Sequence, residues 1–354
     1  MRLRRVYPYW GFSLALCAVL LPACTSSASP TVETPHPTPA PQPTAATLTA
    51  PLPAPSLPSA TLPLPAHASA RPAREFAVVG YLPDYRTLDP AWGRYITDVV
   101  YFSAGLRPSG ELDTGRLSVQ TLAALREMNA VYGTRVFVAI GGWERSQNFA
   151  TVATDSKLRT RAAQAITAYC LENRLDGVDF DWEFPENAAE RAGYVALLAE
   201  VHQAFVPHHL RVSVALAAWQ DVGNELYAAV DRIHVMAYDH EGRHATFEQA
   251  VGDIEAFLER GAPPEKLLLG VPFYGRSLSQ WDTAYTYAEI VAQYHPASDV
   301  DEAGGVYFNG IAAIQQKTRY ALAQQLGGVM IWELGQDTPD DTSLLRAIDR
   351  AIAD

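Results

Sequence analysis

From Phe76 onward the chain alternates strand-length apolar runs with amphipathic helical patterns, and it does so eight times. The runs are Phe76–Leu82, Asp98–Gly105, Arg135–Gly141, Gly177–Glu183, Arg211–Ala217, Arg232–Tyr238, Leu267–Phe273 and Gly328–Glu333. Most are apolar almost throughout, as strands of a parallel sheet are when both faces are covered. Helical patterns fall between them at Leu117–Val131, Ser156–Glu172, Ala188–Phe205, Phe247–Glu259 and Ile311–Leu326, and Thr342–Ala353 closes the chain. Such alternation means βαβ units. Eight in about 280 residues fit an α/β fold of the (β/α)8 TIM-barrel type, which typically takes about 250. A doubly wound open sheet is the competing arrangement, but no Gly-rich nucleotide turn follows the first run.

A barrel makes a demand: catalytic groups should gather at the C-terminal strand ends. Those ends read Gly80-Tyr81, Ile140-Gly141-Gly142-Trp143, Met236-Ala237-Tyr238-Asp239, Pro272-Phe273-Tyr274-Gly275-Arg276 and Ile331-Trp332-Glu333. Polar and aromatic residues therefore converge on one rim. Gly141 and Gly142 leave room for a close backbone approach there.

The fourth run adds an acidic row. Strand side chains alternate faces, so Asp179, Asp181 and Glu183 point one way and Val178, Phe180 and Trp182 the other. Carboxylates buried together cannot all stay charged, and at least one pKa must rise. A carboxylic acid still protonated near neutral pH is what acid catalysis requires. A solvated acidic edge strand conflicts with Phe180 and Trp182. Oxygen ligands spaced i, i+2, i+4 would also suit Mg²⁺ or Ca²⁺. No second ligand cluster accompanies the row, so no metal and no cofactor are expected.

The formal net charge is −12, which argues against nucleic acid as a partner and leaves a neutral polysaccharide open. The three cysteines are Cys17, Cys24 and Cys170. Cys170, alone in a helical pattern, reads as a small buried hydrophobe. Three domains of composition follow: residues 1–24, 25–74 and 75–354. The first has Arg2, Arg4 and Arg5, then an apolar run from Trp10 to Leu21 that is too short to span a membrane. It ends in Leu21-Pro22-Ala23-Cys24, which resembles a bacterial lipobox and makes Cys24 a lipidation candidate; cleavage near Ala23 without lipid is the alternative. Residues 25–74 hold 13 of the 25 prolines among Ser, Thr and Ala. That is a linker composition, with a reach of roughly 150 Å when extended. The expected product is an extracytoplasmic monomer whose only membrane contact is the lipid at Cys24.

Asp176-Gly177-Val178-Asp179-Phe180-Asp181-Trp182-Glu183 resembles the Asp-Gly-x-Asp-x-Asp-x-Glu motif of glycoside hydrolase family 18, the chitinases. Met236–Asp239, Leu269–Arg276 and Gly327–Glu333 resemble that family's sixth, seventh and eighth strands, in the family's order. The resemblance implies cleavage of β-1,4 links at N-acetylglucosamine with retention, the sugar's own acetamido group acting as nucleophile. It implies Glu183 as acid and later base, Asp181 orienting the acetamido N–H, Asp179 sharing a proton with Asp181, and Tyr238 donating to the acetamido oxygen. Trp332 would lie under the reacting sugar. Tyr81 would reach Asp179. Trp143, Asp239, Met236, Tyr274 and Arg276 would line the substrate site. Three alternatives stay open: an endo-β-N-acetylglucosaminidase on N-glycans, the same chemistry on peptidoglycan, and a chitin-binding lectin without activity.

Two departures from the family pattern stand out. Third strands of the family often read Ser-x-Gly-Gly, but Ala139 occupies the Ser position. Support for Asp179 must then come from Tyr81 or water. Many members also insert a small α+β domain after strand seven. Ser277 to Gly310 is too short for it, so the barrel is expected without that domain, with an open groove suited to endo cleavage.

Overall fold

The computed structural model describes residues 76–354. The expected targeting segment, the linker and Cys24 lie outside the described residues. Within them, eight parallel strands close into a barrel. They are β1 (Ala77–Pro83), β2 (Asp98–Leu106), β3 (Arg135–Gly141), β4 (Gly177–Asp181), β5 (Arg211–Leu216), β6 (Arg232–Val235), β7 (Leu267–Pro272) and β8 (Gly328–Trp332). Each pairs with its neighbour in sequence, and β8 returns to β1 with Ala77 opposite Gly328.

The apolar runs are buried twice over. Side chains of one parity, including Val79, Tyr81, Phe137, Ala139, Leu268 and Met330, fill the barrel interior. Those of the other parity, including Val78, Val138, Phe180, Val214 and Val271, meet the surrounding helices. On β4 the second set is Val178, Phe180 and Trp182, with Trp182 stacked on Phe149 at 5.3 Å. Asp179 and Asp181 therefore point into the barrel, as strand parity demands.

The helices Ala188–Phe205 and Phe247–Glu259 run between the expected residues. Asn187 caps the first and a Thr246–Gln249 capping box opens the second. Cys170 is fully buried and free, and burial pushes its thiol up to about 12. None of the described helices is long and apolar enough to cross a membrane.

Two strands end earlier than the sequence suggests. β4 stops at Asp181 because the Glu183 amide donates to the Ser146 hydroxyl at 3.2 Å rather than to a neighbouring strand. β6 stops at Val235 because the Ala237 amide turns back to the Val235 carbonyl at 2.9 Å. The segment after β7, where the sequence leads one to expect no α+β insertion, is structured as a small α+β unit. Tyr274–Ser277 continues β7 into a four-stranded antiparallel sheet with Ala284–Thr286, Val306–Tyr307 and Glu302–Ala303, carrying the helix Tyr287–Tyr294.

Candidate active site

Asp179 is the most enclosed carboxylate of the row, with no exposed surface. The Tyr81 hydroxyl donates to its Oδ2 at 2.6 Å and the Ser213 hydroxyl to its Oδ1 at 2.6 Å. His234 Nδ1 lies 3.1 Å from the same Oδ1 and 2.8 Å from the Tyr81 oxygen. Four strands, β1, β4, β5 and β6, thus meet on one buried carboxylate. Charge-assisted hydrogen bonds of this kind are about twice as strong as neutral ones.

Asp181 follows two residues on, at 4% exposure. Its Oδ1 has no hydrogen-bond partner among the described residues. Burial pushes its pKa well up, and the charges of Glu183 and Asp179 push the same way. An unpartnered buried acceptor costs about 1–3 kcal/mol, so this oxygen is suited to a donor brought by a ligand.

Glu183 sits just past the strand end. Burial, then the nearby Asp239 charge, raises its carboxyl to about 7. Near neutral pH it is divided between acid and base, the poise that proton transfer in both directions needs. Gly141 and Gly142 make this packing possible. Their φ angles are 103° and 107°. A Cβ on Gly141 would lie 2.3 Å from the Asp181 carbonyl oxygen, and one on Gly142 would lie 2.1 Å from the Phe102 ring.

Across the groove, Asp239 is fixed by its neighbours. Tyr274 donates to Oδ1 at 2.6 Å, and Arg276 holds both oxygens at 2.6 and 2.9 Å. The buried His244 ring lies 3.6 Å away. Partial burial opposes the charge, but these donors overcome it and hold the carboxyl well below its usual range. The carboxylate remains 40% exposed. The Tyr274 hydroxyl and two of the three Arg276 guanidinium nitrogens thus go to Asp239, the third donating to the Trp281 carbonyl at 3.1 Å.

Tyr238 stands beside the three acidic groups. Burial and the charges of Asp181, Asp239 and Glu183 raise its phenol. Among the described residues its hydroxyl's hydrogen-bond partner is the weakly accepting Met330 sulfur, at 3.9 Å, so it is available as a donor to a stronger acceptor. Trp332 lies half-buried between Tyr81 at 5.6 Å and Phe102 at 4.9 Å. Met236 packs against the same interior cluster. Trp143, just beyond Gly142, is 67% exposed. Glu333, next after Trp332, is turned away and held by Tyr85 and Arg86, each at 2.7 Å. No group of His, Cys, Asp and Glu among the described residues is arranged to hold a metal.

The sequence profile described as glycosyl hydrolases family 18 matches residues 77–337. The chain belongs to glycoside hydrolase family 18. It is 25% identical over 368 aligned residues to probable chitinase 2 of Drosophila melanogaster, covering 76% of this chain and 74% of that protein. The GH18 chitinase ChiB from the chitin utilization locus of Flavobacterium johnsoniae superposes with TM-score 0.69 at 28% identity, covering 78% of this chain and 93% of the other. A chitinase variant of Cycas revoluta, solved with (GlcNAc)4, shares the fold at TM-score 0.69 and 24% identity, covering 78% and 99%. The protein is thus a chitinase-like glycoside hydrolase.

Against the family pattern, Ala139 lies opposite Asp179 on β3, where no hydroxyl can reach the carboxylate. Tyr81 supplies support, as expected. Ser213 and His234 supply the rest, and sequence reasoning passed over both. The histidines looked scattered along the chain. A signal was nevertheless present: each of these two residues is the one polar side chain in an otherwise apolar stretch, Val212-Ser213-Val214 and Ile233-His234-Val235. Parity then turns both inward.

Proposed function

We propose that the protein hydrolyses β-1,4 links between N-acetylglucosamine units, in chitin or its oligomers, with retention at the anomeric carbon. The observation that carries this reading is Glu183, poised at about 7, next to a buried Asp181 whose Oδ1 has no partner. Glu183 protonates the glycosidic oxygen while the acetamido oxygen attacks C1 and the C1–O bond breaks. Asp181 accepts the acetamido N–H and balances the positive charge of the oxazolinium ion. Tyr238 donates to the acetamido oxygen. Glu183, now a carboxylate, takes a proton from water as the water attacks C1. Trp332 presents its ring face to the reacting sugar, and Trp143 serves a neighbouring one. The oligomer bound by the Cycas revoluta chitinase supports N-acetylglucosamine chains as the ligand class. The short segment after β7 favours endo cleavage.

The deciding experiment compares the full chain with its Glu183→Gln variant on N-acetylglucosamine oligomers, an N-glycopeptide and peptidoglycan. Oligomer cleavage to β-anomers, lost in the variant, is expected. Cleavage of the glycopeptide or peptidoglycan alone would move the substrate class. Tight oligomer binding without turnover would make the protein a lectin. For residues 1–74 we propose a signal, a lipid on Cys24 and an extended linker. Partition of the mature protein into detergent, abolished by Cys24→Ser, is the expected sign of the anchor.

A further inference from the structure

His234 takes no part in the chemistry just described, yet it touches the buried end of the acidic row. Its Nδ1 lies 2.8 Å from the Tyr81 oxygen and 3.1 Å from Asp179 Oδ1. Tyr81 has one hydroxyl proton, and the 2.6 Å contact with Asp179 Oδ2 takes it. The proton between His234 and Tyr81 must therefore sit on Nδ1. A neutral imidazole with Nδ1–H leaves Nε2 as an acceptor. Nε2 is buried and has no partner among the described residues. The residue is 1% exposed.

Below the ring lies a cavity of about 10 Å³, lined by Val79, Asp98, Phe137, Arg211, Val212, Ser213, Asp231, Arg232 and His234 itself. That is roughly the room one water needs. It lies toward the N-terminal ends of the strands, away from the substrate groove. On its outer side stands Asp231, whose side chain is 39% exposed. The groups bearing on His234 are Tyr81 from β1, Asp98 from β2, Asp179 from β4, Ser213 and Arg211 from β5, and Asp231 and Arg232 at the start of β6. From β7 its register partner is the apolar Leu268, and β8 adds Met330 to the interior. Asp98 is itself held by Arg135 and Arg232.

We propose that His234 is a proton relay, linking Asp179 through one water in this cavity to solvent at the barrel floor. This inference rests on the catalytic reading above, together with the proton that the family resemblance has Asp179 share with Asp181. When Asp179 takes up a proton, its Oδ1–H bond forms as the His234 Nδ1–H bond breaks. A proton arriving through the water binds Nε2, and the ring stays neutral. When Asp179 returns the proton, both transfers reverse. The row thus draws and releases protons while substrate fills the groove. His234 acts through Asp179, so it is a positioning residue.

Two measurements on the full chain test this. In ¹⁵N-histidine-labelled protein without substrate, His234 is expected as the neutral Nδ1–H tautomer, with ring signals that move in Asp179→Asn. An Nε2–H tautomer, or signals indifferent to Asp179→Asn, overturns the relay whether or not the protein cleaves chitin. The second is kinetic, on N-acetylglucosamine tetramers. Asparagine keeps an N–H near the Nδ1 position but passes no proton. His234→Asn is expected to keep its melting temperature and KM, lower kcat on the order of tenfold, and change the pH profile and solvent isotope effect. Unchanged kcat, pH profile and isotope effect in a folded variant overturn the relay. If wild type leaves the tetramer uncut, the functional reading fails and the tautomer measurement still decides the relay.

Discussion

Replacing Asp239 by Asn should move the alkaline limit of activity toward acid. Glu183 is raised from an ordinary 4.5 to about 7, first by burial and next by the Asp239 charge. The substitution removes the second cause and leaves the first. It also strips Arg276 of its carboxylate partner, now held at 2.6 and 2.9 Å. A nearby charge shifts a pKa by about one unit or more, and one unit is about 1.36 kcal/mol. Solvent tempers this, since Asp239 is 40% exposed, so about one unit is the expected movement. At pH 7 the protonated fraction of Glu183 then falls from about one half to about one tenth. The assay is kcat/KM against pH on a chromogenic N-acetylglucosamine oligomer, because that ratio reports the free enzyme's groups. The expected result is a roughly fivefold loss at pH 7 that nearly vanishes at pH 5. An unmoved or more alkaline limit would refute the reasoning. A loss equal at every pH would show that Asp239 acts on the substrate, not on Glu183.

Further outcomes follow from the same geometry. Glu183 has a folded pKa above its unfolded one, so its contribution to stability is complete below about 4.5 and lost as pH rises through about 7. Glu183→Gln should therefore melt higher than wild type at pH 8 and about equally at pH 4; a lower melting temperature at pH 8 would contradict this. Gly142→Ala should cost roughly 3 kcal/mol or more and abolish turnover, because the new Cβ meets Phe102 at 2.1 Å with φ at 107°. Gly133→Ala, at φ 72° with nothing within 4 Å, should cost only about 1 kcal/mol; chemical denaturation distinguishes the two. Ser213→Ala removes a 2.6 Å bond to a buried carboxylate and should cost about 1.5–3 kcal/mol. Ala139→Ser in that background should restore part of the loss, which a double-mutant cycle on stability and kcat would register.

The architecture was legible before any coordinates. Apolar runs of strand length, separated by amphipathic helices, leave few ways to bury both faces of a sheet, and the closed barrel is one of them. Parity placed Asp179 and Asp181 on the inner face, because a strand has only two faces. For residues 1–74, which lie outside the described residues, composition and motif give only the proposal made above.

Strand ends were less legible, since β4 and β6 stop where a hydroxyl or a local turn takes over the backbone bond, at Ser146 and at Ala237. The partners of the row were hidden for a related reason. Ser213 and His234 lie 34 and 55 residues beyond Asp179 in the chain, and nothing local marks them as its neighbours. Closing the barrel sets the stagger between strands, and the stagger decides which inward side chains share a level. Sequence alone therefore determined the barrel and the acidic row. Tertiary structure decided that Asp239 is gripped by Tyr274 and Arg276, that Glu183 is poised near 7, and that Ser213 and His234 stand where Ala139 offers no hydroxyl. Those properties arise from distances between strands, and a one-dimensional pattern does not contain them.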